Sequence, residues 1–433
     1  MYNYILCKNI LYEHQYGFRS KHTTIHPVLH LLKHIAQEND SPQKNITVGI
    51  FIDLKKAFDT ISHVILLQKL EYYGIRGLPH NWFKSYLSNR FQYTEVNGTN
   101  SSPASITTGV PQGSILGPLL FLLYINDISL STNLNILSFA DDTTAYFSGN
   151  KLEHMSNKIN SELQGINMWC SANKLVLNTS KTMYMVFCPP QSRLNYDDIQ
   201  LTLGPDKLER AGNKQRISSV KFLGINFDEN LTWKHHITLT CSKISKAVFV
   251  MNQLKHLLPS SVLKILYHSL VESHLLFGIL AWGKSIHQKA IVKMQKQAIR
   301  AMTNSTYRAH TEPLFKVNSI LTLTDLYKLQ SALFVHDYIH QKLPVSFNNF
   351  FNNTPFNNRS CRRPHDIYIA RPRTNFSSSL PLYSIPSIWN SLDEVLKAEE
   401  SKYKLKDCLK YTFISAYSAN VTCENPYCRQ CIQ

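Results

Sequence analysis

The 433-residue sequence predicts an α+β fold, an antiparallel sheet backed by helices. Three observations carry this. The apolar run Val48-Gly49-Ile50-Phe51-Ile52 reads as a buried strand and ends on Asp53. Further along, the apolar run Ile136 to Ala140 and the β-prone run Thr143 to Phe147 flank Asp141-Asp142. That reads as strand, two-residue turn, strand, with the acidic pair at the hairpin tip. Around these runs, apolar residues recur every three or four positions, the spacing of helices.

Taken in order, Val28, Leu29, Leu32 and Ile35 mark a helix that Asn39-Asp40-Ser41-Pro42 breaks before the first strand. After Asp59, Ile61, Val64, Leu67 and Leu70 mark another, which Gly74 is placed to end. Trp82, Phe83, Tyr86 and Leu87 form the apolar face of a helix starting after Pro79, and the turn Asn97-Gly98 suggests a hairpin. Leu119 to Ile125, apolar on all sides, reads as a buried helix beneath the acidic hairpin. A long amphipathic helix follows through Leu152, Met155, Ile159, Leu163 and Ile166, then a strand from Met183 to Phe187. From about 230 to 310 the pattern is helical. Beyond it, Asn348-Asn349, Arg362-Arg363-Pro364 and Arg371-Pro372-Arg373 read as a loosely structured region.

Composition narrows the partners. A hydrophobic content of 43% suits a globular chain of two or three domains. The longest apolar run, Ile115 to Ile125, is too short for a membrane span, and the first residues lack a signal-peptide layout. An intracellular protein of the cytoplasm or nucleus is expected, with no membrane partner. Lys and Arg number 46 against 29 Asp and Glu, and the formal charge of +17 suits a polyanion such as nucleic acid. The nine cysteines are mostly scattered, as reduced thiols are. Cys423, Cys428 and Cys431 are spaced like part of a zinc site, yet no fourth ligand stands nearby, so incidental tail cysteines are the competing reading.

Two neighbouring ionised carboxylates repel each other, and desolvation makes this worse. A divalent cation removes the penalty, and hard oxygen ligands suit magnesium. Asp53 is the natural third carboxylate. An isolated Asp-Asp pair is usually a solvated turn, but this one closes an ordered series. Asp53-Leu54-Lys55-Lys56-Ala57-Phe58-Asp59 comes first, then Gly109-Val110-Pro111-Gln112-Gly113-Ser114, then Phe139-Ala140-Asp141-Asp142. Gln15-Tyr16-Gly17-Phe18-Arg19 precedes the series and Lys221-Phe222-Leu223-Gly224 follows it. In this order and spacing, over about residues 15 to 310, the chain resembles the reverse transcriptases of non-LTR retrotransposons, most closely the jockey-like type.

The resemblance implies a right-hand polymerase: partial fingers over 1–45, palm over 46–229, helical thumb over 230–310 and a C-terminal accessory region over 311–433. It implies RNA-directed DNA synthesis, with an RNA template, a DNA primer and deoxynucleoside triphosphates as partners. Asp53 and Asp141 would bridge two Mg2+ ions, supported by Asp142 and the Leu54 carbonyl. Because adjacent strand residues point opposite ways, Asp141 is expected to be the stronger ligand. Phe58 would pack under the incoming sugar and exclude a 2′-hydroxyl, with an ordinary core phenylalanine as the rival reading. Asp59 is assigned to capping the next helix. Gln112-Gly113 would contact template and nucleotide, and Lys181 the departing pyrophosphate. Arg19 and Lys21 would hold the triphosphate, and Phe222-Leu223-Gly224 would brace the primer end. The family's upstream endonuclease and first fingers strand have no counterpart here, so a relic that only binds nucleic acid is the first alternative. An RNA-synthesising polymerase sharing the palm is the second.

Overall fold

The strand predicted to lead into Asp53 spans Ile46–Ile52 and lies at the centre of a five-stranded sheet in the computed structural model. Residues 1–418 are described, other than 193, 214 and 352–364; Cys423, Cys428, Cys431 and Arg362-Arg363-Pro364 lie outside the described residues. The strand order is Glu209–Ala211, Met183–Phe187, Ile46–Ile52, Asp142–Gly149, Asn135–Phe139. Glu209–Ala211 joins parallel, and every other pairing is antiparallel. The chain divides into two compact units, one of Met1–Pro27 with Ser41–Leu223, the other of Val28–Asp40 with the chain from Gly224 onward.

In the first unit, alternation sorts the central strand. Val48, Ile50 and Ile52 enter one core with Leu120 to Ile125, Ile136, Ile159, Leu163 and Ile166. The helix Leu116–Ile125 has no polar face; as expected it runs through that core, with Leu120 to Ile125 buried and Leu116 and Leu119 half-buried against it. The helix Leu152–Ala172 buries one stripe, from Leu152 to Cys170. Each fully buried Leu or Ile contributes roughly 1.5–3 kcal/mol, which makes this face the mechanical base of the sheet. The helix His63–Tyr72 ends as predicted at Gly74, whose φ of +85° a side chain would resist. Asn97 and Gly98, at φ +52° and +78°, form the tight turn between Glu95–Val96 and Thr99–Asn100. In the helix Leu78–Leu87 only Phe83 and Leu87 are buried. Trp82 turns outward, stacked 5.5 Å from Tyr86, because the two rings satisfy each other on the exposed side.

The second unit is helical. Asp228 starts it by accepting from the Thr232 and Trp233 N–H groups at 2.8 and 2.7 Å, which sets up the helix Lys234–Leu254. Gln288–Met302 packs along that helix. Within the region read as loosely structured, Asn348-Asn349 and Arg371-Pro372-Arg373 do lie in turns and irregular backbone, but packed helices stand before and after them. Leu323–Ile339 is buried on most sides against Pro381–Asn390 and Lys402–Ser415. Its apolar residues lie all round the helix, so no clean three-to-four periodicity advertised it. Val28–Asp40 belongs to this unit, with Asp40 accepting from the Tyr383 hydroxyl at 2.6 Å. No described helix is long and apolar enough to cross a membrane.

Candidate active site

In the sheet register, Phe51 pairs with Thr144 and Ile52 with Thr143. Continued by one residue, this sets Asp53 opposite Asp142, and opposed residues project from the same face. The two carboxylates line one cleft with Lys181, Lys221, Phe222 and Leu223. The Asp142 carboxyl is held above the usual carboxylate range. Desolvation by the surrounding protein is the main cause, and Asp141 and then Asp53 add to it, while Lys221 pulls the other way. Asp141 is therefore part of the same electrostatic group, although it is not among the residues lining the cleft.

The hairpin differs from the sequence expectation by one residue. Phe139 pairs with Asp142, so the two-residue turn is Ala140-Asp141, and Asp142 already belongs to the strand Asp142–Gly149. Ala140 takes a left-handed φ of +57°, and its N–H is held by the buried side chain of Gln15 at 2.9 Å. Local sequence favours the polar pair at the tip; a contact from 125 positions earlier overrules it.

Asp53 is fixed by Asn178, Ser180 and Thr182, which flank Lys181 and to which the sequence reading gave no role. Asn178 Nδ2 donates to Asp53 Oδ2 at 2.7 Å, and the Asn178 N–H donates to the Asp53 carbonyl at 2.8 Å. The Ser180 hydroxyl donates to Asn178 Oδ1 at 2.8 Å, which turns the amide's nitrogen toward Asp53. From the other side, the Asp53 N–H donates to the Thr182 hydroxyl at 3.2 Å. Leu54 sits in an isolated bridge opposite Leu177, whose hydrogen bonds run through its neighbours Asp53 and Lys55. Lys221 is the second overlooked residue; its only signal was its place beside Phe222.

A second group of predicted residues gathers around Phe58. Its ring stacks on Phe121 at 4.3 Å and meets Phe18 edge-on at 6.2 Å. Gln112 Nε2 donates to Asp59 Oδ1 at 2.7 Å, so Asp59 is tied to the Gln112 loop. It does not cap the following helix, because the three residues after it place Ser62 at that position. The loop is sewn on by Val110 N–H to the Phe58 carbonyl at 3.0 Å and Gly109 N–H to the Ile61 carbonyl at 2.8 Å. Gly109 permits this, since a Cβ there would stand 2.8 Å from the Asp59 carbonyl oxygen. Gly113 has a φ of +83° and open space around it.

Arg19 Nη1 donates to the carbonyls of Tyr12 and Gln15 at 3.0 and 2.9 Å. Lys21 is exposed at a φ of +62°. Neither lines the carboxylate cleft. Phe222 is buried against Phe51, ring centroids 5.6 Å apart, and Leu223 bends the chain at φ +47°. Gly224, at φ +84°, begins the second unit.

The donor set suits a hard divalent cation: three carboxylates, the charges of Asp141 and Asp53 bearing on Asp142, with no lysine or arginine ion-paired to them among the described residues. The side chains stand apart, and among the described residues no three His, Cys, Asp or Glu groups form a closed ligand cluster.

Comparison with known proteins identifies the family. Residues 1–227, more than half the chain, match the family described as Reverse transcriptase (RNA-dependent DNA polymerase). The chain is 30% identical over 323 residues to the probable RNA-directed DNA polymerase from transposon BS of Drosophila melanogaster, covering 69% of the chain and 33% of that protein. It is 25% identical over 381 residues to the corresponding protein of transposon X-element of the same species, covering 85% and 40%. To the RNA-directed DNA polymerase from the mobile element jockey, also of Drosophila melanogaster, it is 27% identical over 357 residues, covering 76% and 36%. The chain thus spans about a third to two fifths of the length of the curated relatives it matches. On these grounds, the chain belongs to the reverse transcriptase (RNA-dependent DNA polymerase) family, in its non-LTR retrotransposon branch.

Proposed function

We propose that this chain copies RNA into DNA, adding deoxynucleotides to a primer 3′-hydroxyl. The observation that carries the reading is the sheet register that aligns Asp53 with Asp142, with Asp141 in the adjoining turn. In the reaction the primer 3′-oxygen bonds the α-phosphorus, the bond from that phosphorus to the β-phosphate bridging oxygen breaks, and pyrophosphate leaves with its electron pair. Asp53, Asp141 and Asp142, with the Leu54 carbonyl, would hold two Mg2+ ions. When bound, such ions acidify the hydroxyl and neutralise charge on the reacting phosphate.

The chain's own groups supply the rest. Asn178 keeps Asp53 in one orientation, which preserves alignment of the reacting atoms. Lys181, exposed at the cleft, neutralises or protonates the departing pyrophosphate. Lys21 meets the triphosphate from the fingers side; Arg19, with Nη1 occupied by two carbonyls, adds charge there. Phe58, braced by Phe121, excludes a 2′-hydroxyl, and Gln112-Gly113 supports the nascent pair. Phe222, Leu223 and Gly224 brace the primer end. The formal charge of +17 suits the RNA template and DNA primer.

Primer extension on an RNA template, with Asp141→Ala and Asp142→Ala as controls, tests this. Synthesis by the parent that both variants lose, with nucleic-acid binding retained, supports it. A parent that binds template and primer without extending them establishes the binding-only alternative.

A further inference from the structure

We infer that Gln15 is a positioning residue for the acidic turn, gripping the Ala140 peptide so that Asp141 and Asp142 face their cation. The inference rests on the carboxylate assignment above. The Gln15 side chain is only 3% exposed. Its Oε1 accepts from the Ala140 N–H at 2.9 Å and from the Gly17 N–H at 2.8 Å, and its Nε2 donates to the Ala140 carbonyl at 3.4 Å. One amide side chain therefore reads both the donor and the acceptor of the residue that sets the turn.

Three further features converge on the same peptide. Ala140 holds a left-handed φ of +57°, a conformation that alanine disfavours and that something outside the turn must impose. Gly17 lies against it so closely that a Cβ would stand 2.2 Å from the Ala140 nitrogen. The backbone around Gln15 joins the hairpin, with Tyr16 N–H donating to the Ser138 carbonyl at 2.8 Å and Ser138 N–H to the His14 carbonyl at 3.0 Å. Arg19 pins the segment by donating to the carbonyls of Tyr12 and Gln15.

The physical consequence concerns register. Left to local preference, the hairpin would place Asp141-Asp142 together at its tip. Gripping Ala140 shifts the turn by one residue, and that shift sets Asp142 on the strand, on the same face as Asp53. Gln15 touches no substrate in this scheme. It acts through the peptide that carries the carboxylates.

Gln15→Met tests this, because it keeps the length of the side chain and removes both hydrogen-bonding ends; Gln15→Glu retains the acceptor. With melting behaviour close to the parent's, Gln15→Met is expected to speed amide exchange across Phe139–Thr143 by roughly tenfold or more. It should also weaken Mn2+ binding measured by electron paramagnetic resonance without substrates. In primer extension kcat should fall by about tenfold while the deoxynucleotide KM stays within about threefold. Gln15→Glu, which keeps the acceptor but loses the donor and buries a charge, should recover the exchange protection only in part. Exchange and Mn2+ affinity in Gln15→Met equal to the parent's would overturn the inference. Should Gln15→Met not fold, Gly17→Ala, which pushes on the same Ala140 nitrogen with Gln15 in place, must reproduce the loss; an unchanged Gly17→Ala overturns it equally. A parent that never extends primers, yet shows these exchange shifts, would remove the polymerase reading and leave the grip standing.

Discussion

Asn178 and Asp53 are joined twice, by Nδ2 to Oδ2 at 2.7 Å and by backbone N–H to carbonyl at 2.8 Å. A carboxylate with one oxygen anchored has the other left in a defined place. A hydrogen bond to a charged group is worth about 1.5–3 kcal/mol. Asn178→Ala should therefore lower kcat by roughly tenfold or more with little change in KM. Asn178→Asp should be worse, since it sets a second carboxylate where the amide now donates. Steady-state kinetics on an RNA template decide this, and an Asn178→Ala enzyme with parental kcat would show that the anchor is dispensable.

Phe58 is held by Phe121 behind it and Phe18 at its edge, a rigid mount for the steric filter proposed above. Phe58→Ala should reduce the preference for deoxynucleotides over ribonucleotides by roughly tenfold or more, as expected when a filled pocket is opened. Competition between dATP and ATP at one template position measures it. Unchanged preference would return Phe58 to the role of an ordinary core residue.

His236 supplies a pH signature in the second unit. Burial is the chief cause of its low pKa, about 4 against an ordinary 6.5, and the charges of Lys243 and His235 add to it. The neutral ring accepts from the Asn226 N–H at 3.4 Å, which a proton on Nδ1 would prevent. The folded value lies below the unfolded one, so the unfolded chain takes up the proton first. The contribution is complete above pH 6.5 and is lost as pH falls from 6.5 toward 4, at a slope of at most about 1.4 kcal/mol per pH unit. Trp282, whose ring lies 5.6 Å from His236, can report the transition by fluorescence in urea. His236→Gln should flatten that slope; the same slope in the variant would assign it to other groups.

The strand Ile46–Ile52, the buried helix Leu116–Ile125 and the strand Met183–Phe187 were legible because each is written in a short local pattern. The acidic turn was legible only to within one residue, because its register depends on Gln15, 125 positions away from Ala140. Asn178 gave no signal for the same reason: nothing beside it in the chain hints at Asp53. Asp59 was misread through a sound local rule. A short polar residue before a helix usually caps it, but here Gln112 folds back to claim the carboxylate. Local chemistry pointed to the candidate residues, and long-range contacts decided how they are aimed.

The proposed chemistry requires Asp53, Asp141 and Asp142 to act together on a shared cation. Mn2+ titration of the purified chain by electron paramagnetic resonance, beside Asp53→Asn, Asp141→Asn and Asp142→Asn, tests this most directly. The prediction is saturable binding by the parent that each single substitution weakens by roughly tenfold or more, given that each removes a charged ligand. Parental Mn2+ affinity in all three variants would contradict it.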